Sequence, residues 1–333
     1  MDNPTKKDDG MKGLATRIFW VIAFVVMMLA CCEGLVRHYP NSYSLKAAWL
    51  ATHAHEATTL VMGSSRSYYG INPHLLGQQA FSVANVSQNP EYDLFLLQQY
   101  YNNNKHQLRN VILDIGFTGL FNGPPEDDEW GRAIYYRVYM DYDKHSRWSR
   151  YGFECCNMRQ VNKKFLPALR YLLTGHAEVN CDSLGFGIPT TRPDEVNLSS
   201  LQASADRVFS QYSGIHWEYV LRNRADLERV AAFCQQHGIQ LFVVSTPVWQ
   251  GYQRRIGGTE LAVLDSTCRI LSQKYGAVCR DYASDPRFSD IENFSDCSHL
   301  SRLGADRLTR ILMEEFSQLK NDAPMLCRRQ PQN

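Results

Sequence analysis

The sequence shows no excess of charge of either sign. Its 333 residues include 35 lysines and arginines against 34 aspartates and glutamates. Domains that bind nucleic acid usually carry a basic surplus, which neutralises phosphates. The balance of charges therefore argues against a nucleic-acid partner.

Linkers, repeats and paired metal-binding cysteines are missing as well. No Gly/Ser-rich or Pro-rich stretch divides the chain and no segment repeats, so its length fits one large α/β domain or two small ones. The ten cysteines include no Cys-x-x-Cys pair, which argues against structural zinc. We predict neither a metal nor a cofactor.

Long apolar runs are scarce, and one stands out, residues 18–32, with the sequence IFWVIAFVVMMLACC. Apolar residues extend it to Val36, at the short end of the roughly 17–25 residues that a membrane span requires. The basic residues before it are Lys6, Lys7, Lys12 and Arg17. Positive charge marks the cytoplasmic end of a span. We therefore predict a cytoplasmic tail at 1–17, a transmembrane anchor at 18–36, and a main domain on the periplasmic or exterior side.

Three other interpretations of the apolar segment stay open. A cleaved signal peptide would need a small-x-small cleavage site, and no clean one follows the run. Met28-Leu29-Ala30 before Cys31 is typical of a lipoprotein signal, although the region before it is long for one. The segment could also be a buried helix of a soluble protein.

Cysteines outside the cytoplasm can form disulfides. Proximity in sequence favours pairing Cys155 or Cys156 with Cys181, and Cys268 with Cys279, but the sequence leaves the connectivity open. Cys234 lies in a helical pattern and fits a small buried residue instead.

Short apolar runs alternate with helical patterns along the chain. The runs that indicate buried strands are residues 58–63, 81–86, 110–117, 239–247 and 276–282. The helical patterns are residues 91–104, 159–175, 217–238, 259–276 and 301–319. This alternation predicts an α/β fold with a parallel sheet covered on both faces.

The alternation breaks at residues 123–213, which are rich in aromatic and basic side chains. We interpret this stretch as a cap inserted between strands of a domain that spans residues 37–322. Long insertions of this kind often carry specificity or partner contacts. Residues 323–333 are predicted to be a flexible tail.

Two serines follow a glycine where the first predicted strand ends, in Gly63-Ser64-Ser65. Either serine could cap the next helix, because serine is a common cap. A nucleophilic serine needs a base, and the base needs an orienting acid. Asp296 and His299 stand three residues apart before the last helix and could supply both.

These motifs resemble those of the SGNH/GDSL hydrolase superfamily. The resemblance rests on GSSR and GINP after the first strand, STPV after the fourth, and FSDCSHLSRLGA before the last helix. It covers most of residues 58–319 apart from the insertion. It is nearest to the membrane-anchored bacterial branch, which includes the D-alanine-transfer and alginate O-acetylation proteins. It implies a flavodoxin-like sheet sandwiched by helices, in a protein of the bacterial inner membrane.

The resemblance also implies roles for particular residues. It assigns Ser65 as nucleophile, His299 as base and Asp296 as acid, with an oxyanion hole formed by Ser65, Ser87 and Asn85. The family's second-block glycine falls on Ser87, which keeps a backbone N–H. The third-block Gly-x-Asn-Asp is absent, and Gly116-Phe117-Thr118 takes its place. The candidates to replace its side-chain donor are Asn85, Asn89 and Asn122.

The implied activity is that of a serine acyl esterase or O-acyltransferase acting on a cell-envelope polysaccharide or glycolipid. The branch commonly works with a multi-pass membrane O-acyltransferase, so such a partner is implied too. The altered third block motivates an alternative, a decayed domain that binds glycan or partners that acyltransferase.

Overall fold

The computed structural model of the chain describes residues 4–77, 79–103, 107–123, 131–142, 144, 146–189 and 191–322. The predicted tail at 323–333 and Cys327 lie outside the described residues.

Five parallel strands form one sheet, in the order β2-β1-β3-β4-β5. The strands are β1 (Thr59–Met62), β2 (Ala80–Ser82), β3 (Asn110–Asp114), β4 (Gln240–Ser245) and β5 (Val278–Asp281). Leu60 of β1 pairs with Phe81 on one side and with Val111 on the other. This is the doubly wound, flavodoxin-like strand order. The predicted α/β fold class is confirmed.

Twelve α-helices lie among the described residues. They are α1 (Pro4–His38), α2 (Ser42–Thr52), α3 (Ser65–Gly70), α4 (Pro90–Asn103), α5 (Phe117–Phe121), α6 (Arg132–Tyr139), α7 (Met158–Thr174), α8 (Leu198–Gln211), α9 (Trp217–Gln236), α10 (Gln250–Gln253), α11 (Gly258–Tyr275) and α12 (Arg302–Asp322). Helix α11 ends at Gly276, which has the left-handed conformation that glycine adopts at low cost.

Both faces of the sheet are buried. On one face, Ile112 and Phe242 share a core with Leu312 of α12, and the rings of Phe242 and Phe316 stack with centroids 3.7 Å apart. Side chains alternate along a strand, so Leu60 points to the other face, where it is fully buried as well. Burial on both faces explains why the strands are continuous apolar runs.

The chain divides into two compact units, residues 1–41 with 128–179 and residues 42–127 with 180–333. The predicted insertion at 123–213 is therefore divided between them. Its last part joins the sheet unit, because Phe186 lies in the sheet's core and Ser82 donates to the Leu184 carbonyl, 2.9 Å away. The insertion's described residues add no strand to the sheet.

The other unit contains the apolar helix. Helix α1 is continuous from Pro4, so most of the predicted cytoplasmic tail at 1–17 is helical. Within it, Gly13–His38 has a mean hydropathy of 2.4 over its most apolar window, and none of that window is buried in the structure. This segment includes the predicted span and is long and apolar enough to cross a membrane.

The nine described cysteines are free thiols, so the disulfides suggested by proximity in sequence are not formed in this structure. Cys268 and Cys279 are nevertheless close, since the Cys279 thiol donates to the Cys268 carbonyl at 3.2 Å. Cys234 is buried, as its position in a helical pattern indicates.

Candidate active site

A buried carboxylate fixes Ser64 in the turn after β1. Asp114, the last residue of β3, accepts from the Ser64 N–H at 2.7 Å, from the Ser64 hydroxyl at 2.8 Å and from the Ser67 N–H at 3.2 Å. Gly63 precedes them at φ 109°, and a Cβ there would lie 2.2 Å from the Asp114 Oδ1. Glycine is required here because both the backbone conformation and the space exclude a side chain.

Ser64 is the N-cap of α3 and its side chain also accepts from the Arg66 N–H. Its oxygen is therefore committed to the turn. Ser65 is the next residue, the first of α3, and its side chain leaves the turn in another direction.

A second buried carboxylate supports the same turn. Asp93 of α4 accepts from the Gly63 N–H at 2.9 Å and from the Gln88 amide at 2.6 Å. Burial raises the pKa of Asp93 to about 8, and the nearby Asp114 acts in the same direction. The side chain is therefore mostly protonated at neutral pH.

Ser65, His299 and Asp296 form a continuous hydrogen-bonded chain. Ser65 Oγ lies 2.7 Å from His299 Nε2, and His299 Nδ1 lies 2.7 Å from Asp296 Oδ2. An ionised carboxylate can only accept, so Nδ1 carries the proton and Nε2 accepts from the Ser65 hydroxyl. This arrangement can remove a proton from Ser65.

His299 and two nearby backbone N–H groups lower the pKa of Asp296. Burial alone would raise its pKa, but the charge and hydrogen bond of His299 and the N–H groups of Ser298 and His299 outweigh burial, and they lower the pKa to about 2. Those N–H groups donate to Asp296 Oδ1 at 2.8 and 3.0 Å. The loop that carries both residues is closed by a bridge between Phe294 and Leu300.

Tyr69 of α3 lies beside the imidazole. Its ring centroid is 5.5 Å from that of His299, at an interplanar angle of 75°. Such an edge-to-face contact limits the rotation of the imidazole and favours the orientation that reaches Ser65.

The loop after β2 contains the two other predicted oxyanion residues. Ser87 is exposed and has φ 55°, in the left-handed region that glycine adopts at low cost. Asn85 is buried, with its amide nitrogen near the Val83 carbonyl at 3.4 Å and its Oδ1 3.3 Å from Lys46 Nζ. The side chain of Asn85 thus holds the loop, and burial lowers the pKa of Lys46 to about 7.

Arg66 of α3 reaches across to the turn that follows β3. Its guanidinium packs on Gly116, where a Cβ would lie 2.3 Å from Nη1, and donates to the Tyr252 hydroxyl at 3.2 Å. Arg66 is buried, and among the described residues it forms no ion pair. A buried cation therefore stands one residue after Ser65.

The three asparagines differ in what their amides do. The Asn89 amide nitrogen is buried and has no hydrogen-bond partner among the described residues, while its oxygen accepts from the Tyr92 N–H. Asn122 is exposed, and its carbonyl accepts from Asn223 at 3.0 Å. Of the three asparagines, Asn89 is thus the one whose amide nitrogen has no hydrogen-bond acceptor among the described residues.

Sequence reasoning missed Asp93 and Asp114. From the sequence we expect Arg66 to pair with a local carboxylate, but among the described residues it forms no ion pair. Asp114 carried a signal, because an aspartate at the end of a buried apolar run needs several donors. Asp93 carried none, since an aspartate in the first turn of a helix is ordinary. Among the described residues, no group of three or more His, Cys, Asp or Glu is arranged to hold a metal ion.

No protein-family model matches the chain, and no curated protein sequence matches it. Among solved structures, one from Bacteroides fragilis described as a "putative acylhydrolase" is similar over 83% of this chain and 95% of its own, with 9% identity and a TM-score of 0.39. We therefore infer the function from the geometry of the site.

Proposed function

We propose that the protein is a membrane-anchored, SGNH-like serine acyl esterase or O-acyltransferase that acts on a cell-envelope polysaccharide or glycolipid. The observation that carries the proposal is the hydrogen-bonded chain from Ser65 through His299 to Asp296, with 2.7 Å at each step. Those distances are within the reach needed for proton transfer.

The reaction begins when Ser65 Oγ attacks the ester carbonyl and His299 Nε2 takes its proton. Asp296 holds the Nδ1 proton and stabilises the imidazolium. The imidazolium then gives its proton to the leaving alcohol, and the acyl group remains on Ser65. Water or a sugar hydroxyl, deprotonated by His299, attacks this acyl-enzyme and restores the serine. Water makes the protein an esterase, and a sugar hydroxyl makes it an O-acyltransferase.

The developing oxyanion is stabilised by the N–H groups of Ser65 and Ser87. Asn85, predicted as a further donor, acts in this proposal by holding the loop that carries Ser87. We propose Asn89 as the third donor; among the residues that the structure describes, its buried amide nitrogen has no hydrogen-bond partner. Donors of this kind are typically worth about 10²–10³ in rate.

The substrate assignment follows from the anchor and the resemblance. A site tethered by α1 meets substrates of the cell envelope, and the family branch acts on such glycans. A multi-pass membrane O-acyltransferase that supplies the acyl group is the partner that this branch implies.

A second candidate function is a binding domain without catalysis, which the absent third-block Asn-Asp favours. Such a domain would bind glycan or that acyltransferase through the same sheet edge. The two candidates differ in whether Ser65 is chemically activated.

A fluorophosphonate probe distinguishes them, since it reacts only with activated serines. We expect the full chain to be labelled, Ser65→Ala to be unlabelled, and His299→Ala to react far more slowly. Ser64→Ala is the matched control, and it should still react although it loses a cap worth about 1 kcal/mol. No labelling of the wild type would favour the binding domain.

If the wild type reacts, a short acyl ester supplied with and without a soluble glycan then separates transfer from hydrolysis.

A further inference from the structure

Helix α7 exposes a broad apolar surface. Its exposed apolar residues are Met158, Phe165, Leu166, Leu169, Leu172 and Leu173. Leu166 is 69% exposed and Leu173 is 82% exposed. At 100° per residue these six side chains fall on one arc of the helix. Large apolar arcs of this kind mark surfaces that contact a membrane or another protein.

The adjoining arc of α7 is already occupied within its own unit. Val161 and Ala168 are buried. Tyr171 packs against His38 and Tyr39, with ring centroids 5.6 and 5.9 Å away. Those two residues lie at the end of α1 and just after it, so α7 is attached to the end of the candidate membrane span.

Polar contacts also tie the end of α1 to the segment before α7. Glu33 accepts from the N–H groups of Glu154 and Cys155 at 3.0 and 2.9 Å, and Arg37 donates to the Gly152 carbonyl at 2.6 Å. Charged side chains at the end of a membrane span, such as Glu33 and Arg37, lie at the membrane–water interface rather than within the hydrocarbon. Helix α7 begins at that level.

The charge of α7 is of one sign. The helix contains no acidic residue. Of its four basic residues, Arg159, Lys163 and Arg170 are exposed and by helical geometry lie on the arc next to Leu166. The fourth, Lys164, is turned inward and pairs with Glu154 at 2.7 Å. An apolar arc bordered by basic side chains is typical of helices that lie in the plane of a membrane, where the cations meet anionic headgroups.

We propose that α7 lies in the membrane–water interface, with its apolar arc among the acyl chains and its basic arc among anionic lipid headgroups. This inference rests on the anchorage by α1 in the proposed function but not on catalysis. The occupant is lipid rather than protein because the arc is continuous with the end of α1 and its basic border complements anionic headgroups. The bilayer then holds the unit at two places.

The test places the full chain in nanodiscs of phosphatidylcholine and phosphatidylglycerol that contain a phospholipid with a diazirine in its acyl chain. After illumination, the adducts are mapped by mass spectrometry. We expect adducts on α1 and on α7. Leu166→Gln combined with Leu173→Gln should lower the α7 yield about fivefold and leave the α1 yield unchanged, because both side chains are exposed. Ser65→Ala should label like the wild type.

Exposed Leu221 of α9 and Leu303 of α12 are the internal controls and should carry few adducts. Replacing phosphatidylglycerol by phosphatidylcholine should lower the α7 yield, and Lys163→Gln with Arg170→Gln should weaken that dependence. Adducts on α1 alone would overturn the proposal in favour of a protein partner, or of a second copy if the particles hold two chains. Equal yields on α7, α9 and α12 would overturn it too, since the label would then follow exposed leucines rather than the membrane.

Discussion

Ser64 and Ser65 are neighbours with the same side chain and opposite roles. Ser64 is bound to Asp114 at 2.8 Å, and Ser65 is bound to His299 at 2.7 Å. Either serine could cap the helix, the resemblance favours Ser65 as nucleophile, and in the structure the carboxylate at the end of β3 binds Ser64. A residue 50 positions away thus holds the Ser64 hydroxyl in the turn, while the Ser65 hydroxyl is bound to His299.

We expect Asp93→Asn to change the pH dependence of stability. Burial raises the pKa of Asp93 to about 8, whereas an unfolded aspartate ionises near about pH 4. The native protein keeps a proton that the unfolded chain releases, so the stabilisation is full below about pH 4 and is lost as pH rises through about 8. Asparagine has no such proton. Relative to wild type, the variant should therefore gain at most about 1.4 kcal/mol in free energy of unfolding per pH unit.

Urea unfolding at several values between about pH 4 and pH 8 measures this gain. Asp265→Asn is the matched control, because the Asp265 side chain is exposed on α11 and its replacement removes no buried carboxyl group. A constant difference from wild type for Asp93→Asn would contradict the buried, protonated state.

Asp296→Asn should reduce the reaction without unfolding the protein. The amide cannot hold His299 in the tautomer that accepts from Ser65, and a loss of about 10⁴ in rate is expected for such a change. Fluorophosphonate labelling rates and the thermal midpoint, measured on the same preparation, separate the two effects. A variant that labels as fast as wild type would argue against the role of Asp296.

At the scale of elements, the β1–α3 turn is the most constrained part of the site. Gly63→Ala should destabilise the protein by about 2 kcal/mol or more, because φ 109° is unfavourable for alanine and the new Cβ would meet the Asp114 Oδ1 at 2.2 Å. Gly77→Ala is the matched control, with φ 108° and open space around the Cβ. Equal losses in the two variants, measured by denaturant unfolding, would mean that Asp114 moves aside freely.

The strands and long helices could be predicted from the sequence because their signals are local. Four of the five predicted apolar runs contain an observed strand, the run at 81–86 overlaps β2 at Phe81 and Ser82, and the pattern at 217–238 contains α9. The pairing of the loop at Asp296 and His299 with the β1 turn was expected from sheet topology. The distances between Ser65, His299 and Asp296 could not be predicted, since they depend on how the loop closed by the bridge between Phe294 and Leu300 is folded.

The parts that could not be predicted depend on contacts distant in sequence. Residues 123–213 read as one insertion because aromatic and basic residues run through it without a break. The structure divides it since Phe186 packs in the sheet's core while Tyr171 packs on His38. The contact of Arg66 with Gly116 could not be predicted either, because sheet topology brings strand ends together but does not determine which side chains meet there.

At the scale of the whole molecule, a basic segment, an apolar helix and a compact sheet unit follow one another along the chain. The basic residues Lys12 and Arg17 precede or begin the apolar part of α1, and the compact sheet unit follows it. This order is typical of a protein whose N-terminus stays in the cytoplasm and whose main unit is exported.

Reporter fusions measure that orientation directly. We expect residues 1–57 fused to alkaline phosphatase, which is active only outside the cytoplasm, to give signal, and the same segment fused to β-galactosidase to give none. The physical reason is the basic region before the span, because lysine and arginine resist translocation. Replacing Lys6, Lys7, Lys12 and Arg17 by glutamate should therefore reduce the phosphatase signal. The matched control, in which the three lysines become arginine and the arginine becomes lysine, should leave the signal unchanged. A signal from β-galactosidase alone would place the sheet unit in the cytoplasm and would remove the cell envelope as the source of its substrate.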